Sequence, residues 1–178
     1  MKKHLILLSL VAAALSLILL ACQKELNENH FESTEPLLTM AEHKIFLDVP
    51  AVTCDMSTNN SIDLLITAGA SGAPSGFTVQ WMKLADYEAN GYRWADSLSI
   101  CSGSFSGKAK ISRYNLETGQ SVTVNIGDFV LDNGASFKCT NGLDCGTVYI
   151  FRAFAHATKT LLRSSFSENL TCSTLGCI

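Results

Sequence analysis

The chain has 178 residues, 47% of them hydrophobic, and sets 13 Lys and Arg against 16 Asp and Glu. This length suits one domain of ordinary size with a substantial core and leaves too little for a second full domain. The formal charge of −3 comes without a run of Lys or Arg, so the chain lacks the electrostatic footprint of a nucleic-acid binder, which relies on several phosphate-neutralising cations.

Met1-Lys2-Lys3-His4 is a short basic region, and Leu5 to Ala21 is almost wholly apolar, the pattern of a secretory leader over residues 1–21. About 17 apolar residues also lie at the bottom of the range that spans a bilayer, so an uncleaved anchor is the competing reading. The segment ends in Leu19-Leu20-Ala21-Cys22, and small and aliphatic residues before a cysteine resemble the lipobox of bacterial lipoprotein signal peptides. The resemblance implies cleavage before Cys22 and lipidation of Cys22. The membrane is then a partner reached through the lipid anchor, which several acyl chains at about 0.8 kcal/mol per buried methylene hold stably.

Residues 22–43 carry the lipidated cysteine and a polar, acid-rich stretch without a repeating apolar face, which reads as a flexible tether. Some 20 flexible residues reach on the order of 25 Å, enough to lift a domain off the headgroups. Gln23 follows Cys22 where an aspartate would signal inner-membrane retention in enteric bacteria, so the expected location is the cell envelope, as an outer-membrane lipoprotein. Lys24-Glu25 resembles part of the signal that sends Bacteroidetes lipoproteins to the cell surface; a generic solvated linker explains the pair equally well.

From residue 44 onward the pattern is that of strands. Val49 to Met56 suits an edge strand with Pro50 near its start. Ser61 to Ala68 places Ile62, Leu64, Ile66 and Ala68 on one face. After a Gly-rich loop, Phe77 to Lys83 aligns Phe77, Val79 and Trp81, with Trp81 expected in the core. Residues 84–118 are irregular and hold Tyr87, Tyr92, Trp94, Cys101 and a Ser/Gly-rich run. Gln120 to Ile126 alternates cleanly, and 128–144 reads as a long crossing loop. Tyr149, Phe151, Ala153 and Ala155 share one face of the next strand, and Ile150, Arg152, Phe154 and His156 the other. A last strand is expected near Ser164 to Ser173.

The lead-in Leu143-Asp144-Cys145-Gly146-Thr147-Val148-Tyr149 resembles the corner before the penultimate strand of fibronectin type III domains, with Cys145 where that family places proline. Ser165-Phe166-Ser167-Glu168 resembles the Ser-x-x-Ser segment that leads their final strand, and Trp81 the inward Trp of immunoglobulin-like sandwiches. The resemblance implies an all-β fold, a single Ig-like or fibronectin type III-like β-sandwich of about seven strands over residues 44–178.

Setting Cys22 aside leaves six cysteines, an even number in an exported chain, and disulfides are the natural expectation. In a seven-stranded sandwich the first and last strands end at one pole, which implies Cys54 with Cys172. A local bridge from Cys139 to Cys145 is expected at the corner, and Cys101 with Cys177 remains. No Cys-x-x-Cys pair favours zinc or thioredoxin-like redox work.

No Gly-x-Ser-x-Gly elbow, His-Glu-x-x-His pair or phosphate-cradling loop is present, and no cofactor or metal is expected. The chain reads as a non-catalytic binding module, for adhesion or capture of a protein or glycan ligand. A structural accessory subunit of a surface complex is the alternative, and a hydrolase with an unrecognised site a remoter one. The candidate binding surface comprises Met82, Tyr92, Trp94, Arg152, Phe154 and His156, an outer apolar stripe; coverage of that stripe by residues 84–118 is the ordinary competing explanation. Asp96-Ser97-Leu98 resembles the short Bacteroidetes O-glycosylation motif.

Overall fold

A computed structural model describes residues 45–94, 99–106, 112–129 and 134–178. The expected leader, Cys22, the tether with Lys24-Glu25, and Asp96-Ser97-Leu98 lie outside the described residues. Within them the chain is all-β apart from one short helix. β1 (Ile45–Phe46) is followed by β2 (Ala51–Ser57), β3 (Ile62–Thr67) and β4 (Phe77–Lys83), and the helix α1 (Leu84–Ala89) continues directly from β4. Then come β5 (Cys101–Phe105), β6 (Ser121–Ile126), β7 (Ala135–Phe137), β8 (Val148–Ala155), β9 (Leu161–Leu162) and β10 (Leu170–Ser173).

A three-stranded sheet runs β2-β3-β6 and a five-stranded sheet β10-β8-β4-β5-β7, every pair antiparallel. Alternation explains how they meet. Ile62, Leu64 and Ile66 of β3 and Val124 and Ile126 of β6 bury one face of the first sheet. Phe77, Val79 and Trp81 of β4, Phe105 of β5, and Tyr149, Phe151, Ala153 and Ala155 of β8 bury one face of the second. All of them belong to one core cluster, as two sandwiched sheets require. Trp81 is core, and the two faces of β8 divide as its two-residue period dictates. Small residues sit beside large ones in the register, Ala155 against Phe77 and Ala153 against Val79, so the aromatic rings fit without crowding.

Residues 84–118 and 128–144 hold more regular structure than their composition suggests. Leu84–Ala89 is helical, and the Ser/Gly-rich run contains β5, paired with β4 from Phe77↔Phe105 to Trp81↔Cys101. Inside the expected crossing loop, β7 pairs with β5, and Gly103 faces Phe137 in that register. The turn into β4 depends on Gly76, at φ +82°, where a Cβ would strike the carbonyl oxygen of Phe105.

The last strand is shorter than expected. β10 pairs with β8 only from Leu170↔Phe151 to Ser173↔Val148. Upstream, Arg163 to Asn169 arches away, and serine side chains take over the ladder. Ser167 Oγ accepts the Ala153 N–H (2.9 Å) and Ser164 Oγ the Ala155 N–H (2.8 Å). The amides of Ser167 and Ser164 donate back to the Ala153 and Ala155 carbonyls (2.7 and 3.1 Å). Buried backbone groups are thus satisfied without a strand.

The six cysteines among the described residues form three bonds. Cys54–Cys172 joins β2 to β10 across the two sheets, with Cα atoms 6.1 Å apart, as expected. The other two expected pairings are corrected: Cys101 bonds Cys139 rather than Cys177, and Cys145 bonds Cys177 rather than Cys139. The reason is the β5–β7 pairing. It carries the chain from Phe137 directly past Cys101, giving a Cα separation of 5.4 Å, and leaves Cys145 beside the C-terminal segment at 5.1 Å.

Candidate functional site

The outer face of the five-stranded sheet carries the residues singled out from the sequence, and it divides into a covered half and an open half. In the covered half, Met82 and Ile150, adjacent in the register, lie beneath Tyr87 and Trp94. Met82 is 1% exposed and Trp94 7%, so neither presents a contact surface, which corrects their nomination. Coverage wins here because α1 brings Tyr87 over the sheet, and Trp94 packs on it with ring centroids 5.6 Å apart. Asn169 fixes both rings: its Oδ1 accepts the Trp94 indole N–H (3.0 Å) and its amide donates to the Tyr87 hydroxyl (3.1 Å). Tyr92 stays on the surface, 66% exposed, with its backbone in the left-handed region at φ +59°. Its N–H caps α1 by donating to the Tyr87 carbonyl (2.9 Å).

In the open half, cations and aromatic rings alternate. The Arg152 guanidinium lies between Trp94 and Phe166, its Cζ 4.3 Å and 3.7 Å from the two ring centroids. Arg163, exposed, lies over Phe154 (4.9 Å) and Phe166 (5.4 Å). Phe154 meets Phe166 edge-on at 5.0 Å and His156 at 5.8 Å. The arginine contacts place positive charge over the negative faces of these rings. Arg152 Nε and Nη2 both donate to Gln80 Oε1 (2.9 and 2.8 Å), its cross-strand neighbour. Burial pulls the Arg152 pKa down to about 10, the nearby Tyr87 hydroxyl opposing this and the Arg163 charge adding to it.

His156 closes the row and is tied inward. The Ser75 carbonyl can only accept, so Nδ1 carries the proton toward it (3.0 Å), and Nε2 accepts from the Thr78 hydroxyl (2.7 Å). Burial holds its pKa below the ordinary imidazole value, partly opposed by the Ser75 bond. The structure therefore brings Arg152, Phe154 and His156 into one row and sets Tyr92 apart at the end of α1. Phe166 and Arg163 complete the row. Sequence periodicity missed them, because they lie on the irregular arch and not on a strand.

A concavity of about 330 Å³ opens at one pole of the sandwich between the Cys101–Cys139 bond, Lys83, Asp86, Asn141, Asp144 and Tyr149. Its wall is the corner ahead of β8. The Tyr149 hydroxyl accepts the Asp144 N–H (2.8 Å), Lys83 pairs with the Asp144 carboxylate, and Leu143 is buried, its N–H donating to Asn60 O (2.9 Å). Both members of the ion pair are well exposed, so it contributes little stability.

No protein-family model and no curated protein matches this chain.

Proposed function

We propose that the chain is a non-catalytic, lipid-anchored envelope protein, held in the outer membrane through Cys22, whose sandwich is a binding module for adhesion or glycan capture. The observation that carries this reading is the cysteine arithmetic. Six of the seven cysteines pair with one another, and the seventh is Cys22, directly after the apolar leader. Three disulfides fit an oxidising compartment outside the cytoplasm, and the remaining thiol stands where lipid is attached. The strand order supports the fibronectin type III-like or Ig-like part of the reading. β2, β3 and β6 facing β4, β8 and β10 is the arrangement in which the first, second and fifth strands of such a sandwich oppose the third, sixth and seventh. The Tyr149 hydroxyl bonded back to the Asp144 backbone supports it again.

A rigid sandwich displaying a row of half-exposed rings and cations is a pre-organised recognition surface, and pre-organisation lowers the entropy lost on binding. The accessory-subunit alternative draws on Ile45 and Phe46, each 65% exposed where the tether enters the domain. Two measurements test the proposal. Labelled palmitate should enter the wild-type chain and not Cys22→Ser. Soluble Cys22→Ser protein freed of its leader should retain ligands on a glycan array; an empty array with a stable co-purifying envelope partner would instead establish the accessory subunit.

A further inference from the structure

We propose that Arg152 and Arg163, held on the shared ring of Phe166, form the site that takes the carboxylate or sulfate group of an acidic glycan. The inference rests on the binding-module reading and names its ligand class. Both guanidinium carbons are measured to the same ring centroid, at 3.7 and 5.4 Å, so they can be no farther apart than the sum of those distances. Two like charges this close in a chain with more acids than bases would ordinarily recruit a carboxylate. Among the described residues neither arginine has one: the ion pair found there is Lys83 with Asp144. Arg152 spends two of its N–H groups on the single Gln80 oxygen, and Arg163 makes no hydrogen bond among the described residues. Several unspent donors on two neighbouring, positively charged planes therefore point to an anion supplied from outside, and planar forks suit carboxylate and sulfate oxygens.

The surroundings favour a sugar over an acidic peptide. Beyond the row, the outward positions of β4, β5 and β7 are Thr78, Ser102, Ser104 and Ser136, with Thr78 opposite Ser104 and Ser104 opposite Ser136 in the register. This is a sheet face of small hydroxyls beside the half-exposed Phe154 ring, suited to sugar hydroxyls and to the C–H face of a pyranose.

The test uses the full chain in detergent micelles, titrated with a tetragalacturonate, a sulfated oligosaccharide, a neutral tetrasaccharide of equal length and polyglutamate. Both acidic sugars should bind, weakening as salt rises, and should shift the arginine Nε–H resonances of Arg152 and Arg163. Arg163→Gln should weaken binding at least tenfold with an unchanged thermal midpoint, and Arg163→Lys should weaken it less. Equal binding of neutral and acidic sugars, indifference to Arg163→Gln, or binding of polyglutamate alone would overturn the proposal. A neutral glycan bound equally well by wild type and Arg163→Gln would sink this site and leave the binding-module reading standing.

Discussion

The hydroxyl oxygen of Ser164 accepts the backbone N–H of Ala155 at 2.8 Å, so a side chain stands where a neighbouring strand would be. Ser167 does the same for Ala153 at 2.9 Å. Ser164 and Ala155 are both buried, and removing the hydroxyl leaves a donor that water does not reach. Ser164→Ala should therefore cost about 1–3 kcal/mol, the desolvation penalty of an unmet buried N–H, read from the midpoint of urea unfolding. The exposed neighbour Ser165→Ala should change stability by less than about 0.5 kcal/mol.

Trp94 and Tyr92 lie two residues apart with opposite roles. Trp94→Ala empties the space over Met82 and Ile150 and should destabilise by about 3–5 kcal/mol. Tyr92→Ala removes an exposed ring, but keeps a residue with a Cβ in a left-handed conformation and should cost under about 1 kcal/mol. Equal losses in paired thermal melts would contradict this assignment of cover and surface.

The His156 imidazole should make stability fall in mild acid. Its pKa is lower in the folded chain than in the unfolded one, so the unfolded state binds more protons between the two values. The contribution is fully present above the unfolded value and is lost as pH falls through the folded one. In unfolding free energies measured from pH 7.5 to 5, His156→Gln should flatten that part of the slope; an unchanged profile would assign the acid sensitivity to other groups.

Cys54–Cys172 spans 118 residues of sequence, and in the chain-entropy model its removal costs about 4–5 kcal/mol. Replacing both cysteines by serine should lower the thermal midpoint of the non-reduced protein accordingly. Non-reducing peptide maps should yield Cys101 joined to Cys139 and Cys145 joined to Cys177; a peptide joining Cys139 to Cys145 would overturn the observed pairing.

The strands that sequence disclosed were those with one wet face and one dry one. Ile62, Leu64 and Ile66 alternate with Asp63 and Leu65, and Tyr149 to Ala155 keeps the two-residue period, so the inward face followed, while Ile150 on the other face is buried beneath Tyr87 and Trp94. β5 was illegible because Cys101-Ser102-Gly103-Ser104 has no bulk to alternate: its inner position at Gly103 is small so that the Phe137 ring can lie against it. Missing β5 concealed β7, and with it the neighbourhood of Cys101 and Cys139. α1 gave no signal, since a six-residue helix with no side-chain cap offers neither length nor a start residue. On the outer face, Arg152, Phe154 and His156 were legible from periodicity. Arg163 and Phe166 were not, because the arch that carries them replaces strand hydrogen bonds with serine hydroxyls and abandons the two-residue period.

The bond between β2 and β10 also fixes how the domain carries a load. A pull arriving at Ile45 can peel β1 away from β9 and unzip β2 as far as Cys54, and there it passes through sulfur to Cys172. A pull on the C-terminus meets Cys177, itself bonded to Cys145 at the foot of β8, and reaches Cys172 along the few residues between. Between these points the sheets, the arch and the arginine row lie inside a covalent loop, where tension on the two ends cannot draw the chain out to full length.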